Sequence, residues 1–156
     1  MPLSIPEYRW IYHPTFQEFT PHHLYAVLQL RQNVFIIEQD CIYPDIDDID
    51  QQSAHLLLMY GDQLAGYLRI VPEGVKFGET SLGRIIIHPA HRRNALGREL
   101  VQEGIRRVAA YQKKPIRIEA QCYLKEFYES FGFRMASHPY DVDGIDHIQM
   151  VRPAQN

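Results

Sequence analysis

The sequence predicts a mixed α/β domain, with a central, mostly antiparallel sheet of about seven strands flanked by helices. Three observations carry this. Short apolar or alternating runs of strand length recur along the chain. Longer stretches between some of them space their apolar residues as a helix does. HLLLMY and QLAGYLRIV, joined by the turn signal Gly61-Asp62, read as an antiparallel hairpin. The resulting order is β-α-β-β-β-α-β-α-β-β. A chain of 156 residues fits one domain over residues 1–156.

Residues 8–13, YRWIYH, read as the first strand, which Pro14 ends. Thr20 suits a helix cap and Pro21 the first helical position. Leu24, Val27, Leu28, Arg31, Val34 and Phe35 follow at helical spacing, and the helix fades near Gln39. His55 to Tyr60 and Gln63 to Val71 are the hairpin strands. A loop over 72–81 precedes the strand from Leu82 to His88. The next helix sets Leu96, Leu100, Val101, Ile105 and Val108 on one face, with Arg98, Gln102, Glu103, Arg106 and Arg107 towards the other. IRIEAQ, 116–121, alternates with a period of two. A short helix from Leu124 to Phe131 stops at Gly132. Phe133 to Ala136 and Asp146 to Val151 are the final strands, separated by a turn at Asp141 to Gly144.

Composition excludes several function classes. Lys and Arg number 16 against 19 Asp and Glu, a net charge of -3, so no basic field for nucleic acid exists. No apolar run approaches the ~20 residues that span a bilayer. MPLSIPEYRW has no apolar stretch of the kind a secretory signal carries. Cys41 and Cys122 are too few for a disulfide framework, so a reduced, cytoplasmic setting is expected. Neither nucleic acid nor membrane is an expected partner, and a homodimer is left open.

The stretch GRIIIHPAHRRNALGRELVQEG, 83–104, carries the chemistry. A strand ends in a proline, a basic turn follows, and a helix begins near Ala95. The first four N–H groups of a helix lack helical partners, and with the peptide dipoles they form an anion site. Small residues at Ala95 and Gly97 let a ligand approach the backbone. Arg92, Arg93 and Arg98 add charge, so a phosphate or pyrophosphate is the expected ligand. Neither GxxxxGK[ST] nor GxGxxG occurs. Read alone, the string is weak, since arginines in a turn before a helix are usually just solvated surface.

Its context is more specific. Arg92, Arg93, Asn94, Ala95, Leu96 and Gly97 resemble the acetyl-CoA motif Q/R-x-x-G-x-G/A of the GCN5-related N-acetyltransferases (GNAT). The departure is Ala95, where glycine is usual. EFYESFGF, 126–133, resembles the F-Y-E-x-x-G-F helix of the same superfamily. LQLRQNVFIIEQDCIYPDIDDID, GYLRI, LGRIII and DGIDHIQM look like the ElaA subgroup, and together these matches cover most of residues 8–151.

The resemblance implies a GNAT-like fold that moves an acetyl group from acetyl-CoA to a small-molecule or peptide primary amine, by direct attack in a ternary complex and without a metal. It places the cofactor along Ile85, Ile86 and Ile87 and at Arg92, Arg93, Asn94, Ala95, Leu96, Gly97 and Arg98. The N–H of Ile87 is its oxyanion donor, and Tyr128 its general acid. Taken alone, Tyr128 reads first as a ring packed beside Phe127 and Phe131. The base stays open: Glu119 on a polar strand face is a candidate, Glu38 and His147 lie in subgroup-like stretches, and a water chain would also serve. Phe35, Tyr43, Tyr67 and Arg69, with Glu38 and His147, are candidates to line the acceptor pocket, although Tyr67 is equally a core strand residue.

Residues 38–50 hold six carboxylates and no base. They are either a solvated loop or a substrate wall that concentrates a cationic acceptor such as a polyamine or a lysine-like side chain. The aspartates do not fit a calcium loop, and the eight histidines lack zinc spacing. Cys41 and Cys122 have no activating histidine beside them in sequence. The alternative to an enzyme is an acyl-CoA-binding sensor or scaffold without turnover.

Overall fold

Eight strands form one sheet in the computed structural model, which describes residues 7–155. They are β1 Tyr8–His13, β2 Ala54–Tyr60, β3 Gln63–Val71, β4 Thr80–Ile87, β5 Ile116–Gln121, β6 Arg134–Met135, β7 Tyr140–Val142 and β8 Ile145–Arg152. Their order is β1-β2-β3-β4-β5-β8-β6, with β7 paired to β8. The segment MPLSIP, part of the signal-peptide reading, lies outside the described residues. Among those residues, no helix is long and apolar enough to cross a membrane.

Helices cover both faces. α1, Pro21–Arg31, starts where the sequence places it, with Thr20 Oγ1 accepting from the His23 N–H at 3.1 Å. It widens into a π-helical stretch, Gln32–Glu38, that ends at Gln39. Val27, Leu30 and Val34 pack on Leu57, Met59, Tyr67 and Ile86. α2, Leu96–Ala109, covers the opposite face, setting Leu100, Val101, Ile105 and Val108 on Leu56, Leu68, Ile70 and Ile118. Gly104 lets it approach β3, since a Cβ there would lie 2.9 Å from Leu68 Cδ1.

Three expectations change. The strand count is eight, because β7 is a three-residue strand where only a turn was read. Asp143 and Gly144, with φ of 51° and 85°, form the two-residue hairpin turn between β7 and β8. The short helix α3 spans only Lys125–Glu129, after a 3₁₀ turn at Cys122–Leu124. Glu103 is buried, because Arg106 and Arg107 each close on its carboxylate at 2.7 Å.

Two irregularities position the site. β4 and β5 are parallel and pair only at Thr80↔Ile116 and Ser81↔Arg117, after which the strands part. On its other edge β4 carries an extra residue opposite Tyr67–Arg69, and Arg84 there adopts φ 49°. Such a bulge bends a strand and re-aims its side chains.

Candidate active site

The parting of β4 and β5 opens a cleft of about 540 Å³, a size typical of small-ligand sites. Its walls are Leu82–Ile87 of β4, Ile118–Gln121 of β5, the end of the π-helical stretch, the 3₁₀ turn and α3, and the β7–β8 hairpin. The backbone of β4 supplies polar groups. The His88 N–H donates to Ala65 O of β3 at 2.8 Å. In an antiparallel ladder neighbouring residues point their peptide groups to opposite sides. Ile87, opposite Gly66, therefore turns its N–H and C=O to the edge that β5 has left. Arg92 Nε donates to Ile87 O at 3.2 Å from that side. Ile85 lies two residues back along the same free edge.

The turn before α2 is held from below. His91 is buried between the Tyr8 hydroxyl at 2.8 Å and Gln63 Oε1 at 2.7 Å, and Asn94 Nδ2 donates to His91 O at 3.3 Å. Arg93 and Ala95 take left-handed backbone, φ 72° and 58°. That explains why glycine suits position 95, since a Cβ is strained there. The helix begins one residue later than expected, at Leu96, whose buried side chain packs near Leu58 and Ala65. A Cβ on Gly97 would meet nothing within 4 Å, so packing does not require the glycine, and open space lies over the free N–H groups. Arg92 turns from the helix end to grip Glu38 at 2.8 and 2.7 Å. Arg98 donates to Ser130 Oγ at 2.9 Å and lies over the Phe131 ring, tying α2 to α3.

Around the rest of the cleft, Tyr128 is buried against Phe127 and Phe133. Burial pushes its phenol well above the ordinary tyrosine range, and Tyr123 adds to the shift. Glu119 Oε2 accepts from the Tyr140 hydroxyl at 2.7 Å, and Lys76 Nζ lies 3.7 Å from Oε1. Burial and then this bond push Tyr140 up to about 12. His147 Nδ1 is 2.7 Å from Ile145 O. A carbonyl only accepts, so Nδ1 carries the proton and the neutral ring has its lone pair at Nε2.

The inner part of the acidic loop is paired, while Asp40 and Asp48 stay exposed. Arg31 bonds Asp45 and Asp50 at 2.9 and 2.7 Å. Arg69 bonds Asp47 and Asp50 at 2.8 and 2.9 Å, and Arg84 reaches Asp45 and Asp47 at 2.8 and 3.1 Å. Burial raises Asp47, but Arg69 and Arg84 outweigh it and hold the carboxyl at about 2. With Glu38 held by Arg92, four of the six carboxylates sit in ion pairs.

A family model described as an acetyltransferase (GNAT) domain matches residues 21–153. The chain belongs to the GNAT acetyltransferase family. Protein ElaA of Escherichia coli is 37% identical over 138 residues, 86% of this chain and 90% of that protein. A UPF0039 protein of Synechocystis is 38% identical over 138 residues, 87% of this chain and 90% of its own length. The crystal structure of Escherichia coli ElaA superposes with a TM-score of 0.87 at 34% identity, covering 93% of this chain and 99% of that one. An acyl-CoA N-acyltransferase from Pseudomonas aeruginosa gives 0.88 at 31% identity, with the same 93% and 99% coverage.

The residues expected at a GNAT site divide clearly. Ile85, Ile86, Ile87, Arg92, Glu119 and Tyr128 line the cleft. Arg93, Asn94, Ala95, Gly97 and Arg98 belong to the turn and the first turn of α2. Phe35, Glu38, Tyr43 and His147 also line the cleft. Tyr67 and Arg69 do not, which corrects that expectation. Both are fully buried on the central strand β3, where Tyr67 bonds His55 at 2.6 Å and Arg69 holds the loop aspartates. Lys76, Arg84 and Tyr140 were missed. Only Arg84 left a signal, as a charge inside the apolar run LGRIII.

Proposed function

We propose that this GNAT protein transfers an acetyl group from acetyl-CoA to a primary amine by direct attack in a ternary complex. The observation that carries the reading is the parting of β4 from β5, which turns the Ile87 peptide into a cleft lined by Tyr128. The likeness to a protein described as an acyl-CoA N-acyltransferase supports a CoA donor.

In this reading the turn Arg93–Gly97 and the N-terminus of α2 hold the pyrophosphate, and Arg92 joins them on leaving Glu38. The free edge Ile85–Ile87 takes the amides of the donor's arm. The Ile87 N–H faces the thioester oxygen and stabilises the negative charge that grows there. His147 Nε2 takes the proton of the attacking amine. Glu119 suits this role less, because Tyr140 already donates to one oxygen and Lys76 sits beside the other. The new C–N bond forms as the C–S bond breaks, and Tyr128, which burial keeps protonated, donates to the departing thiolate. Solvent returns the proton from His147 to Tyr128.

The test is thiol release from acetyl-CoA with a mixed panel of amines, with mass spectrometry of the product. Amine-dependent release with N-acetylated product upholds the reading. CoA binding without such release marks a sensor or scaffold.

A further inference from the structure

Three cations line the cleft: Lys76, Arg84 and Arg92. Two are spent. Arg92 is gripped by Glu38, and Arg84 is held by Asp45 and Asp47. Lys76 differs. It comes from the surface loop between β3 and β4, but its side chain is only 30% exposed and reaches inward. Its nearest carboxylate is Glu119 at 3.7 Å, beyond hydrogen-bond distance. An ammonium carries three donors; among the described residues none of them is hydrogen-bonded, and Nζ otherwise lies over the Phe77 ring, 5.4 Å from its centroid. Burial depresses it and Glu119 opposes the shift, while the smaller effects of Arg84 and Arg69 lower it and that of Asp47 raises it. Of the loop carboxylates, Asp45, Asp47 and Asp50 are engaged by Arg31, Arg69 and Arg84, and none of these three aspartates lines the cleft.

We infer that the acceptor is an amine that also bears a carboxylate: the carboxylate docks on Lys76 and draws it away from Glu119 Oε1, where the ammonium first takes its place. The inference builds on the proposed acetyl transfer and specifies its acceptor. Glu119 and Lys76 face each other from β5 and the β3–β4 loop, as a zwitterion requires. Glu119 pairs with Gln149 and Gln121 with His147, so Glu119 and His147 are diagonal neighbours on one face of β5 and β8. An ammonium on Glu119 therefore lies close to the proposed proton acceptor.

The experiment compares pentylamine with 5-aminopentanoate, by turnover with acetyl-CoA and by calorimetry on protein saturated with CoA. Wild type should favour the amino acid by at least about tenfold, the worth of one charge-assisted contact. Lys76→Met should remove the preference, and Lys76→Glu should shift it towards 1,5-diaminopentane. Equal binding and turnover of the two probes by wild type, or a preference that survives in Lys76→Met, overturns the inference. A Lys76-dependent binding preference without turnover of any amine upholds the carboxylate subsite and overturns acetyl transfer. Turnover of amines without a carboxylate advantage does the reverse.

Discussion

Arg92 holds Glu38 in a two-pronged ion pair, 2.8 and 2.7 Å, while its third nitrogen bonds the Ile87 carbonyl at 3.2 Å. One side chain thus ties the end of the first helical segment to the turn before α2 and covers part of the free edge of β4. A pyrophosphate at that turn competes with Glu38 for the same guanidinium. Glu38→Gln should tighten CoA binding by about two- to fivefold, a modest gain because the pair is solvent-exposed and screened. Calorimetry at low salt reads it, and a loss of affinity would mean that Glu38 supports the donor site.

Gly97→Val adds a side chain where the protein leaves open space, so the fold should keep its stability. The same side chain blocks the approach to the first N–H groups of α2. CoA affinity should fall by at least about tenfold, since charge-assisted bonds to the backbone are lost. A folded variant with parental affinity would remove the pyrophosphate from this turn.

Ala95 holds φ 58°. Left-handed backbone costs an L-residue about 1–2 kcal/mol, while glycine loses about 0.5–1 kcal/mol through its extra freedom when unfolded. Ala95→Gly should therefore raise stability by about 0.5–1 kcal/mol. A higher urea midpoint at unchanged slope is the expected result.

Asp47 has a folded pKa of about 2 against an ordinary 3.8. A depressed carboxyl contributes stability in full above its unfolded value and loses it as pH falls through the folded one. Wild type should therefore lose of order 1–2 kcal/mol through this group between pH 4 and pH 2. Asp47→Asn should be less stable at pH 6 and show a flatter decline. Parallel curves for the two proteins from pH 6 to pH 2 would exclude Asp47 as a source of acid sensitivity.

Tyr128→Phe and His147→Gln test the two proposed proton transfers separately. Each should lower kcat by roughly 100-fold, within the usual range for a general acid or base. CoA affinity should survive in both. Near-parental kcat in His147→Gln with a roughly 100-fold loss in Glu119→Gln would transfer the base role to Glu119.

Local patterns were legible because they need no partner. Thr20-Pro21 marks the start of α1, and the alternation of IRIEAQ gives β5 its bounds. The strand–turn–helix junction at 83–104 could be read for the same reason. Ion pairs have no period, so the fate of the acidic loop was hidden. A trace existed nonetheless: Arg31, Arg69 and Arg84 each stand inside an apolar series, where a charge must find a partner. β7 escaped because three residues are too few to show alternation. The tautomer of His147 depends on the Ile145 carbonyl, which backbone geometry sets and side-chain pattern does not.

The three arginines that clamp residues 45–50 come from α1, β3 and β4, elements scattered along the chain. That loop is consequently not a transferable cassette. Grafting it onto a relative without all three guanidinium groups strands carboxylates in the interior, and exchanging one arginine alone does the same in reverse. Altering acceptor choice in this scaffold is better attempted at Lys76 and on the β7–β8 hairpin, where side chains border the cleft without bracing the interior.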